Sequence, residues 1–167
     1  LGLHLPLSSA GPTSGAVTLD LVSDGAGVDS YGTTSIGTET VTVTGTVYNH
    51  STAAVENAGS GACRSGSGSA YTLDFGTVVQ DSTAPTDGIF VLNDVSVPAD
   101  SLSGSLVIDN TGTAFGNSGI TTFAGLGGGG VSSDLTVALN TSSLGVFAET
   151  ITLDGTGSDP NFSGTLT

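Results

Sequence analysis

Apolar residues recur at every second position along most of the chain. Leu1, Leu3, Leu5 and Leu7 alternate with small or polar neighbours, as do Val17, Leu19 and Leu21. Val41, Val43 and Val47 are set against Thr40, Thr42, Thr44 and Thr46. A period of two places these residues on one face of a pleated strand, so each run predicts a half-buried β-strand. The pattern resumes with Tyr71, Leu73 and Phe75, then with Ile89 and Val91 leading to Val95 and Val97, then with Leu102, Leu106 and Ile108. Further strands are predicted at Ile120 to Phe123, at Leu135, Val137 and Leu139, at Phe147, Ile151 and Leu153, and at Phe162 and Leu166. No window carries apolar residues at helical spacing over three turns. Turn signals fall at Ala84 to Gly88, Asp109 to Gly112, Gly125 to Gly130 and Asp154–Gly155. Short strands with turns roughly ten residues apart predict an all-β fold, an antiparallel immunoglobulin-like β-sandwich.

The stretch from Asn49 to Ala70 has few large apolar side chains and many Gly, Ser and Ala, which makes residues 49–70 an expected linker. The chain also resembles itself. With Leu1 laid over Leu135, twenty residues align without a gap, matching Leu5 with Leu139, Ser8 and Ser9 with Ser142 and Ser143, Gly11 with Gly145, and Thr18, Leu19 and Asp20 with Thr152, Leu153 and Asp154. Both copies then close on a final strand, TGTVY and SGTLT. The expected organisation is tandem repeat units: 1–48 as the C-terminal half of a sandwich, and 71–167 as a complete one. A half sandwich has no opposing sheet for its apolar face, so residues 1–48 are either completed by strands from another subunit or truncated from upstream residues.

YTLDFGTVVQDS, SLVIDNTG, VTLDLVSDGAGVDS and ETVTVTGTVYN resemble strands of the bacterial choice-of-anchor D repeats, which are similar to ASPM/SPD-2/hydin-type immunoglobulin folds. The resemblance covers most of the chain outside residues 49–70. It implies large secreted or surface-anchored proteins of tandem β-sandwiches with no family-wide enzymatic activity, and it supplies no catalytic residue.

Charge narrows the partners. One basic side chain, Arg64, stands against fifteen carboxylates, for a net charge of −14. Such a chain lacks the clustered Lys and Arg that displace counterions from phosphates, which excludes nucleic acid, and it is repelled by anionic membrane surfaces. Only 10% of residues are charged and 37% are hydrophobic, so burial can offset the entropy of ordering and the chain is expected to fold. No run reaches the roughly 18 apolar residues of a membrane helix, and no signal sequence opens at Leu1, as for a mature product or an excised piece. Few basic residues, abundant Thr, Ser and Gly, and a lone Cys63 fit a bacterial secreted or cell-surface protein. Cys63 beside Arg64 reads as an incidental linker thiol or, alternatively, as a site of intermolecular pairing.

Little here suggests catalysis. His4 and His50 are the only histidines, and neither has the context of a nucleophile triad. Carboxylates sit mainly at strand ends and turns, and 5% aromatic content without Trp offers little platform for a glycosidase. Calcium is the ligand the acidic loops suit best. Asp20, Asp24 and Asp29 in DLVSDGAGVD and Asp154, Asp159 and Asn161 in DGTGSDPN occupy corresponding places in the internal match, with ordinary turn-stabilising roles as the competing reading. GLGGGG at 125–130 lacks the following Lys and helix of a phosphate loop, and reads as a hairpin loop or a close backbone approach. Asn49, Asn140 and Asn161 begin Asn-x-Ser/Thr triplets that chance explains in so Ser- and Thr-rich a chain. The expected function is a non-catalytic structural module of an extracellular matrix, surface or fibre, joined to copies or tandem neighbours by strand complementation. The alternative is a cell-surface adhesin that binds a polysaccharide and is stabilised by calcium.

Overall fold

The computed structural model describes residue 4 and residues 7–29, 31–67, 70–109, 114–156 and 163–166. Among them there is no helix, and therefore none long and apolar enough to cross a membrane. The described residues form twelve strands in three sheets, divided between two compact units, Leu1–Val47 and Tyr48–Thr167.

The first unit is a long two-stranded ribbon. β1 (Gly11–Asp24) pairs antiparallel with β2 (Thr33–Val47), from Gly11 opposite Val47 to Asp24 opposite Thr33. The register shifts between Leu21 and Val22, where Ile36 becomes the extra residue of a bulge. The alternation of Val and Thr produces this arrangement, since residues directly opposite share a face. Val17 lies opposite Val41, Gly15 opposite Val43, and Thr18 opposite Thr40, with their hydroxyls 3.4 Å apart. In place of the expected half sandwich there is one amphipathic ribbon. Of the predicted Leu1–Leu7 strand, Leu1, Leu3 and Leu5 lie outside the described residues, and Leu7 is exposed and not in a strand.

The second unit is a β-sandwich-like pair of sheets. β3 (Ala53–Asn57), β6 (Thr86–Asn93), β10 (Leu135–Leu139) and β8 (Phe115–Gly119) form a four-stranded sheet in that order. β4 (Cys63–Ser67), β5 (Ala70–Asp74), β12 (Ser163–Leu166), β11 (Thr150–Thr156), β7 (Leu102–Asp109) and β9 (Thr122–Leu126) form a six-stranded one. Among these strands pairing is antiparallel except between β5 and β12, which run parallel. One core joins the sheets: Ala53, Val55, Ile89, Val91, Leu135 and Val137 from the first meet Tyr71, Leu102, Leu106, Phe123, Ile151 and Leu153 from the second. All twelve are buried, and together they supply the apolar area that drives the sheets together.

Several expectations change here. Residues 49–70, expected as a linker, carry β3 and β4, and the core is incomplete without Ala53 and Val55. The unit begins at Tyr48 and not at 71. Asp87, read as a turn residue, is buried inside β6, where its carboxylate accepts hydrogen bonds from the backbone N–H of Ala62 (2.8 Å) and of Gly88 (2.8 Å). Asp154–Gly155 is also strand, paired with Ser105 and Gly104 of β7. The internal match does not extend to structure. Leu153 pairs with Gly164 in β11–β12, whereas the corresponding Leu19 pairs with Glu39, and Gly45, the counterpart of Gly164, pairs with Thr13.

The glycine run at 125–130 is a close backbone approach. Asn93 donates its backbone N–H to Gly130 O (2.9 Å) and accepts from Gly129 N–H (2.8 Å), and Gly129 sits at φ 76° where an L side chain is strained. The Asn93 side chain is fully buried: Oδ1 accepts from Thr52 N–H (3.0 Å), while Nδ2 donates to Asp100 O (3.0 Å) and Leu126 O (2.8 Å). One residue of the four-stranded sheet is thereby bonded to the end of β9 in the other.

Candidate functional site

Two features stand out, one in each unit. In the ribbon, Val17, Leu19 and Leu21 of β1 and Val41, Val43 and Val47 of β2 share one face, interrupted by Glu39 opposite Leu19. Leu19 is 42% exposed and Val41 51%. The other face carries Thr38, Thr40, Thr42, Thr44 and Thr46 with Ser14, Ala16, Thr18 and Asp20, a surface suited to water. Ile151 and Leu153, which correspond in sequence to Val17 and Leu19, are buried in the middle of the six-stranded sheet.

The acidic loop of the ribbon is occupied with its own turn. Asp24 Oδ1 accepts from Ala26 N–H (3.0 Å), and Asp29 Oδ1 accepts from Tyr31 N–H (3.1 Å). Asp20 lies four residues before Asp24 on the strand, about 13 Å away at the usual rise. Asp154 lies in β11, and Asp159 and Asn161 fall outside the described residues. Among the described residues no three His, Cys, Asp or Glu come together as a metal site. His4 and His50 are exposed. Cys63 is exposed on β4, opposite Asp74. Its neighbour Arg64, on the other face of the strand, binds Glu56 Oε2 at 2.6 Å and lies 5.3 Å from the centre of the Tyr71 ring.

In the second unit, two adjoining grooves open at one side of the sandwich, between residues 72–80 and 137–151. Hydrogen bonds fix both banks. Asp81 N–H donates to Thr141 O (3.0 Å), Thr141 Oγ1 to Ser82 O (2.7 Å) and Gln80 Nε2 to Ser142 O (3.1 Å). The outer groove is about 430 Å³ and the inner pocket about 180 Å³, and Leu73, Asp74, Phe75, Phe115 and Phe147 line both. Val137, Ile151 and Glu149 complete the inner pocket. Asn117 on β8, opposite Val137, donates Nδ2 to both oxygens of Glu149 at 2.8 Å, and its own Oδ1 is buried without a partner among the described residues. The described lining contains two carboxylates, three phenylalanine rings, and no Lys, Arg, His or Cys.

No family model, curated protein or solved structure matches this chain. The likeness to choice-of-anchor D repeats therefore rests on the strand motifs alone. The pocket was not legible in sequence, because its walls come from three separated stretches whose Phe residues look like ordinary core positions. The ribbon face was legible, in the alternation of Val and Thr.

Proposed function

We propose that the chain is a non-catalytic structural module of an extracellular assembly, in which the apolar face of β1–β2 is covered by the apolar sheet face of a second copy. The carrying observation is the apolar row of Val17, Leu19, Leu21, Val41, Val43 and Val47, of which Leu19, Leu21 and Val41 are exposed and Val17, Val43 and Val47 half-buried. Isolated two-stranded ribbons are at best marginally stable in water, and strands of 14 and 15 residues exceed the usual length of strands within larger sheets. The occupant is argued from the chain itself: β1 carries the sequence pattern of β11, a strand that buries this same face between two sheets. A copy of the chain presents the same apolar row on its own ribbon. The composition, with one basic residue, supports an extracellular bacterial setting.

Sedimentation equilibrium tests this. The chain is expected to self-associate, and Val41→Asp, which puts a charge in the middle of the face, to abolish association without altering the melting of the second unit. A monomer at every concentration, or association that Val41→Asp leaves intact, overturns the proposal.

A further inference from the structure

We infer that the inner pocket binds an organic cation, an alkylammonium group. Its walls are Phe75, Phe115 and Phe147 with Leu73, Val137 and Ile151, and its acid is Glu149, with Asp74 at the boundary with the outer groove. Aromatic rings attract cations through their quadrupoles, most strongly where water is excluded. A carboxylate at the same site adds a charge-assisted partner. Glu149 is held by a single donor nitrogen, which spans both its oxygens and leaves most of their acceptor capacity unused by the described residues. Asn117 is thus a positioning residue for the carboxylate.

The same chemistry already operates elsewhere in this protein. Arg64, its one basic side chain, is held between the Glu56 carboxylate and the Tyr71 ring. The pocket offers that combination of acid and ring with no cation of its own among the described residues. A metal ion is less well served, since hard cations want six to eight oxygens and most of this wall is carbon. Size agrees: about 150 Å³ of apolar cavity takes a benzene, so 180 Å³ accommodates a trimethylammonium head or the end of a lysine side chain. The net charge of −14 draws cations towards the whole surface, and only the rings distinguish an organic one.

Two-dimensional NMR titration of the full chain tests the inference, with choline, with its neutral carbon isostere 3,3-dimethylbutan-1-ol, and with Nα-acetyl-lysine methylamide. Choline is expected to shift the Asn117 side-chain amide and Gly145, where an added Cβ would meet the Phe147 ring, in a saturable manner. The isostere is expected to bind about tenfold more weakly, the scale of a partly desolvated cation–π contact. Glu149→Gln still offers Asn117 an acceptor and is expected to weaken choline about tenfold. Phe147→Leu keeps an apolar wall and is expected to weaken it several-fold. Unchanged β6 and β10 resonances show that each variant folds. Lysine amide binding as tightly as choline identifies a peptide side chain as the source, and weaker binding identifies a free quaternary amine. Equal affinity for choline and its isostere, or saturation by neither cation, overturns the inference.

Discussion

Asn93 is the residue whose loss can be costed most directly. Replacing it with Ala removes acceptance from Thr52 N–H and donation to the carbonyls of Asp100 and Leu126, at a position with no solvent exposure. Each bond contributes about 1 kcal/mol net, and a buried group left unpaired costs about 1–3 kcal/mol. Thr52 is exposed and can turn to water, so the two carbonyls carry most of the penalty. The expected loss is about 3 kcal/mol, or roughly 10 °C in the melting temperature for a unit of this size. Asn93→Asp separates bonding from volume: it preserves shape and the acceptor for Thr52 N–H, but turns a carboxylate towards two carbonyl oxygens. It should destabilise at least as much as Ala at neutral pH. Urea unfolding followed by far-ultraviolet circular dichroism gives both values. A loss below about 1 kcal/mol for either variant would refute the idea that this amide ties the two sheets together.

Gly104 lies against Asp154 O and the Phe123 ring where β7 meets β11 and β9, and Gly104→Ala is expected to cost about 1–3 kcal/mol by overpacking, measured in the same titration. Arg64→Ala removes a half-exposed ion pair and a ring contact, so about 1 kcal/mol or less is expected; a larger loss would show that β4 depends on it. Because copies carrying −14 repel one another, self-association should tighten as ionic strength rises from about 0.01 M, where the screening length is about 30 Å, to 1 M, where it is about 3 Å; weakening with salt would point to an ionic interface instead. Refolding of the second unit should take milliseconds to seconds, since strands near in sequence mostly pair with distant ones; stopped-flow dichroism reads this.

Period-two patterning identified the strands that carry large apolar side chains on one face. Val17–Leu21, Val41–Val47, Leu102–Ile108 and Leu135–Leu139 all fall in strands. It missed β3, whose buried positions are only Ala53 and Val55, and β4, which has no large apolar residue. β8 was hidden because Gly116, Asn117, Ser118 and Gly119 resemble a turn. Turn residues misled at Asp87 because its carboxylate serves the backbone of another segment, 25 residues away for Ala62, which no local rule encodes. Sheet membership was out of reach for a related reason. From β5 to β11 each strand enters the opposite sheet from the one before it, so turn positions say little about pairing. The ribbon emerged differently, because its two strands are consecutive and mutually patterned.

The apolar face of that ribbon carries the account, and hydrogen exchange against protein concentration tests it most directly. If a second copy covers β1–β2, the paired amides from Gly11–Val47 to Asp24–Thr33 should exchange rapidly in dilute solution, as befits a marginal ribbon. They should then slow steeply as concentration rises, while β6 and β10 exchange at one rate throughout. Ribbon amides equally protected at every concentration, in a chain that stays monomeric, would contradict the account.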